Sequence, residues 1–117
     1  MNKPVFIGDQ EYFPGIGSIP FEGRDSDNPL AFKFYDRNKV VGGRSMEEHL
    51  RFAVCYWHTF CARGSDPFGD DTQVFAWDQP SDPMAAARAR MDAAFEFFTK
   101  LPVFGICLRG ADNLFLP

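Results

Sequence analysis

The chain has 117 residues, 45% hydrophobic and 24% charged, a composition that suits one folded domain or a piece of a larger one and argues against disorder. Lys and Arg number 12 against 16 Asp and Glu, a net charge of −4 with no basic block. Binding to a phosphate backbone needs clustered cations, so nucleic acid is excluded as an expected partner. The longest apolar run is six residues, 52–57, far short of a membrane span, and no apolar leader follows Met1.

Three cysteines, Cys55, Cys61 and Cys107, are an odd number and too few for a disulfide framework, so a reducing cytoplasm is the expected location. The 14 Phe, 3 Tyr and 2 Trp need a core to cover them, and so short a chain buries only a limited share of its surface. The excess suggests a core whose other half is missing.

Residues 1–43 are read as an extended N-terminal arm. Phe13-Pro14, Ile19-Pro20 and Asn28-Pro29 push the backbone toward extended and turn conformations. Interleaved Phe6, Tyr12, Phe13, Phe21, Phe32, Phe34 and Tyr35 are too many for a free linker, so the arm should pack on its own body or on another subunit. Residues 44–117 form the second unit. Ser45 followed by Glu48 is a capping-box signature that predicts a short helix from Met46. Residues 52–57 then read as a strand buried on both faces, with a continuing helix as the competing reading.

Asp82-Pro83 predicts the start of a long helix. Met84, Ala87, Met91, Ala94, Phe95, Phe98 and Leu101 recur at helical steps as one apolar stripe. Ala85, Arg88, Asp92, Glu96 and Lys100 fall outside it, and Arg88/Asp92 and Glu96/Lys100 are spaced as i,i+4 pairs. Leu101-Pro102 ends the helix, and residues 103–108 read as a second buried strand. The sum is α/β: an arm, then one right-handed βαβ unit with open sheet edges that predict self-association. The connection over residues 61–81 is long for a βα loop and leaves the end of the first strand where α/β barrels build their sites.

Candidate chemistry is sparse. Cys55, His58 and Cys61 lack a fourth zinc ligand and alternate across a strand, so buried thiols are the expected reading, and no metal ligand is assigned. His49 is expected in solvent. Asp66, Asp70 and Asp71 do not have calcium-loop spacing and read as loop solvation. Gly15-Ile16-Gly17 lacks the third glycine and the preceding strand of a dinucleotide fingerprint. Gly42-Gly43-Arg44-Ser45 could hold an anion at a helix start, though capping explains it equally. No nucleophile has a recognisable base beside it.

Several stretches carry a resemblance: YFPGIGSIPFEG (12–23), NPLAFKFYD (28–36), VVGGRSMEEHLRFAVCYWHTF (40–60), SDPFG (65–69) and DPMAAARARMDAAFEFFTKL (82–101). Together they resemble the N-terminal part of bacterial xylose isomerases, of the longer class with an N-terminal extension. The resemblance implies part of a TIM (β/α)8 barrel, in a cytoplasmic homotetramer. It also implies an enzyme that interconverts D-xylose and D-xylulose, and commonly D-glucose and D-fructose, by a hydride shift. The implied cofactors are two divalent metals, Mg2+, Mn2+ or Co2+, whose ligands come from later strands and are absent from this chain. The implied partners are aldose sugars and other isomerase subunits.

On the same resemblance, Trp57 matches the tryptophan that walls the sugar pocket. Phe68 matches the loop phenylalanine that enters a neighbouring subunit's pocket, and Asp112 matches the aspartate of a catalytic His–Asp pair. The family pattern after the second strand, Tyr-Cys-Phe-His-Asp-x-Asp, breaks down here. Arg109 stands in the histidine's place and Gly110 in that of the first aspartate, and a guanidinium cannot exchange a proton near neutrality. A barrel takes about 250 residues. The expectation is therefore a truncated isomerase, inactive alone; the alternative is a non-catalytic module that docks onto full-length isomerase subunits.

Overall fold

The structure is a computed structural model that describes residues 8–102 and, for the backbone only, residues 105–107 and 113–115. In chain order its elements are β1 (Val40–Val41), β2 (Arg44–Ser45), α1 (Met46–His49), β3 (Ala53–Cys55), α2 (Tyr56–Thr59), α3 (Pro83–Lys100), β4 (Gly105–Cys107) and β5 (Asn113–Phe115). A 3-10 turn at Ala76–Asp78 interrupts the long connection before α3.

The helix ends follow local chemistry. At α3 the Asp82 carboxylate accepts the Ala85 N–H at 2.8 Å, and Pro83 sits in the first turn, where its missing N–H costs nothing. Leu101 closes the helix by donating to the Phe97 carbonyl at 2.9 Å. At α1 the predicted capping box is present: Ser45 accepts the Glu48 N–H while Glu48 accepts the Ser45 N–H at 2.7 Å. The helix stops after one turn, as expected.

The core is aromatic. Phe60, Trp77, Ala93, Ala94 and Phe98 are buried, and Tyr12, Phe13, Tyr56, Phe75, Phe95 and Phe97 pack around them. Phe60 sits at the centre, with ring centroids 5.4 Å from Trp77, 5.6 Å from Phe97 and 5.7 Å from Phe98. Buried rings of this size contribute about 1.5–3 kcal/mol each. The Trp77 indole N–H donates to the Phe60 carbonyl at 3.1 Å, so its polar edge is satisfied. Trp77 had no sequence signal as a core residue, because it lies in a loop without periodicity.

The arm packs on its own body. Both oxygens of Glu96 accept arm N–H groups, Tyr12 at 2.7 Å and Phe13 at 2.8 Å. Lys100 donates to Glu11 at 2.8 Å, to the Phe13 carbonyl at 2.7 Å and to Glu96 at 2.8 Å. The Ile19 N–H adds a 2.7 Å bond to the Lys100 carbonyl. Burial pushes the Glu96 carboxyl up. The hydrogen bonds from Lys100, Tyr12 and Phe13 outweigh that and leave it below the usual carboxylate range. Burial pushes the Lys100 amine down, and Glu11 and Glu96 more than reverse it, leaving it raised. Farther along the arm, Phe32 donates to the Pro20 carbonyl at 2.8 Å, and Arg37 pairs with Glu47 of α1.

Several expectations are corrected by the structure. The strand expected over 52–57 is only Ala53–Cys55, and the chain turns helical at Tyr56. Double burial needs a layer on each face; here Phe52 and Trp57 are exposed, and Cys55 and Cys61 are half-buried rather than buried. The apolar stripe of α3 is displaced as well. Met84 and Met91 are exposed, whereas Glu96 (0% exposed) and Lys100 (3%) are buried under the arm. Their i,i+4 pair is therefore an interior ion pair and not a surface one.

The larger sheet among the described residues has the order β3-β4-β5, and β1 pairs antiparallel with β2 in a separate two-stranded sheet. β3 and β4 are parallel, with Ala53, Val54 and Cys55 opposite Gly105, Ile106 and Cys107, which is the expected βαβ connection through α3. β4 falls inside the strand expected over 103–108. β5 was not anticipated and pairs antiparallel with β4, Gly105 opposite Phe115.

Candidate functional site

β3 ends at Cys55, and its immediate conversion into α2 swings Trp57 out of the sheet register. Trp57 is 46% exposed and borders an open cleft of about 780 Å3 at the end of the strand. His58, Thr59, Arg63, Gln73 and Phe75 also line it. The site of a parallel α/β unit is expected at this end of the strand. Beneath it, Tyr56 stacks on Phe60 at 6.0 Å, and burial followed by the nearby Cys61 raises the tyrosine's pKa, so its hydroxyl stays protonated at neutral pH. Arg90 donates to Asp78 at 3.0 Å, a bond that raises the guanidinium further and fixes the 3-10 turn to α3.

The loop after α2 is tied at its neck. The N–H groups of Thr72 and Gln73 both donate to the Arg63 carbonyl at 2.9 Å, and the Thr72 hydroxyl donates to the Gly64 carbonyl at 2.9 Å. Gly64 has φ +69°, and a Cβ there would press on Thr72 and lie 3.3 Å from the Gln73 nitrogen, so the neck requires glycine. At the tip, Asp66 accepts the Phe68 N–H at 2.7 Å, and Asp66 and Gly69 exchange backbone bonds of 3.3 and 3.4 Å. This short turn holds Phe68 out, 97% exposed. Asp66 is thus a turn former, in line with the loop reading of the acidic residues.

Of the three predicted site residues the structure describes two, Trp57 and Phe68, and does not set them in one lining. Trp57 lines the cleft, Phe68 stands on the loop tip outside that lining, and Asp112, with Arg109, lies outside the described residues. His49 is exposed, as expected, with its Nε2 2.7 Å from the Val41 carbonyl. Among the described residues no three of His, Cys, Asp and Glu gather closely enough to hold a metal ion. The described residues thus supply no ligand set for the two divalent metals that the resemblance implies. The sequence reading missed Thr59, Arg63 and Gln73 as cleft residues. Their only signal was position, flanking a tryptophan at a strand end.

No family model matches the chain. It is 62% identical to Xylose isomerase 1 of Xanthomonas campestris pv. campestris (strain 8004) over 112 residues. That alignment covers 96% of this chain and 25% of the relative. The chain matches an N-terminal segment of xylose isomerases. Xylose isomerase 2 of the same strain is also 62% identical, and a xylose isomerase of Xanthomonas oryzae pv. oryzae (strain MAFF 311018) is 59% identical, each over 112 residues. The chain spans about a quarter of the length of these xylose isomerases. Among the described residues no helix is long and apolar enough to cross a membrane.

Proposed function

We propose that this chain supplies the opening of a xylose-isomerase barrel and the first wall of its sugar pocket. β3 and β4 are the first two barrel strands, α3 is the helix between them, and Trp57 is the aromatic wall against which an aldose stacks. The observation that carries this reading is the 62% identity across 96% of the chain. The parallel pairing of β3 and β4 and the cleft past the end of β3 support it. Phe68, presented on its turn, enters the pocket of a neighbouring subunit in a homo-oligomer. Asp112 corresponds to the acidic member of a proton-transferring pair whose histidine is replaced by Arg109.

The divalent metals of such an enzyme act as Lewis acids on the sugar oxygens. Their ligands belong to barrel strands other than those formed here. The isolated chain therefore binds sugar weakly and turns over no D-xylose, even with Mg2+ supplied. A graft tests the rest. Residues 12–101 placed in the corresponding stretch of one of the Xanthomonas isomerases should give an active enzyme. Trp57→Ala in that graft should lower kcat/KM at least about tenfold, the loss of one pocket wall. A folded but inactive graft, or turnover by the isolated chain, would overturn the proposal.

A further inference from the structure

We infer that His58 and Gln73 are the polar contacts that orient a sugar on Trp57 in the cleft at the end of β3; the inference rests on the isomerase reading of that cleft. A site for a small polar ligand combines apolar surface with a few convergent hydrogen-bonding groups. Trp57 supplies the apolar plane. The His58 ring stands against it almost at a right angle, 87° between planes and 5.3 Å between centroids, so indole and imidazole make a corner of the cleft. Gln73 belongs to the same lining and comes from the returning side of the loop neck. Its backbone N–H donates to the Arg63 carbonyl at 2.9 Å, which fixes where its side chain starts.

Both side chains keep their hydrogen-bonding capacity. Among the described residues neither the His58 ring nor the Gln73 carboxamide makes a hydrogen bond, and both residues are exposed. The other histidine differs, because the Nε2 of His49 lies 2.7 Å from the Val41 carbonyl. Arg63, also in the lining, has its guanidinium 3.7 Å from the Asp71 carboxylate. An imidazole offers two ring nitrogens, and a carboxamide offers two N–H donors and a carbonyl acceptor. Sugar hydroxyls both donate and accept, so these two groups beside an indole suit a neutral polyhydroxyl ligand. Neither was legible as a sugar contact in the sequence. His58 stood out only beside two cysteines, and Gln73 lay in a loop without periodicity.

The test is a D-xylose titration of the isotope-labelled full chain, followed by NMR at the side-chain nitrogens. The chain has two tryptophans and two histidines, and one of each lines the cleft, so Trp77 and His49 serve as internal references. The Trp57 indole, the His58 imidazole and the Gln73 carboxamide should shift along one saturation curve, with Trp77 and His49 unmoved. His58→Ala and Gln73→Ala should each raise the midpoint about two- to tenfold, the loss of one hydrogen bond. His58→Gln, which keeps a donor and an acceptor, should recover most of that loss. If the Trp57 indole shifts while either His58 or Gln73 does not, or if the alanine variants bind like the unaltered chain, the inference falls and the aromatic wall stands. If no cleft signal moves at molar xylose, the wall and the inference fall together. Should a variant fail to fold, the signals of the unaltered chain decide alone.

Discussion

Glu96 and Lys100 place opposite charges four residues apart in the interior, and each is surrounded by partners from the arm. Removing one member of a buried pair leaves the other charge without compensation, at a cost of about 3–5 kcal/mol. That is a large part of the stability of a small domain, which is about 5–15 kcal/mol. Lys100→Ala should therefore lower the denaturation midpoint sharply. Replacing both residues, Glu96→Leu with Lys100→Met, should cost less than the sum of the single changes, because the pair acts as a unit. Additive effects in a urea titration would contradict this account. Only the pairing, not its burial, was legible in the sequence. The spacing announced a pair, but burial is imposed by Glu11, Tyr12 and Phe13, more than eighty positions away. By contrast, the capping roles of Ser45 and Asp82 depend on atoms within three residues and were read correctly.

At the scale of elements, the arm and α3 are joined through groups that titrate in opposite directions. Glu96 is held below its ordinary value, so its contribution is complete above the usual carboxylate range and is lost as pH falls through the lowered value. Lys100 is held above its ordinary value, so its contribution is complete below about pH 10 and is lost as pH rises through the raised value. Arm attachment should be constant between about pH 5 and pH 10 and weaken on both sides. Hydrogen exchange at the Tyr12 and Phe13 amides reads it directly. Protection that persists unchanged to about pH 2 would mean that the aromatic contacts, not Glu96, hold the arm. Helices with strong end signals were legible here, whereas the segment from 52 to 60 was not. Six apolar residues suit a strand and a helix equally, and the chain uses both in succession.

Over the whole molecule, one aromatic core joins three regions distant in sequence: the arm through Tyr12 and Phe13, the connection between α2 and α3 through Phe75 and Trp77, and α3 through Phe97 and Phe98. The alternation of strand, helix and strand was readable because hydrophobic period and turn residues announce it. The antiparallel β5 was not, since residues 113–115 carry no distinguishing pattern. Trp57 was singled out through resemblance, and the fold supplies its cleft; composition alone marked it only as one ring among many. The two tryptophans occupy opposite environments, Trp57 open to solvent and Trp77 only 8% exposed with its N–H bonded to Phe60. Ultraviolet emission from this chain should accordingly resolve into a red-shifted, acrylamide-quenchable component and a blue-shifted, protected one. Trp57→Phe should abolish the first alone. The second should redden when the arm is released, so each indole reports optically on a different half of the molecule.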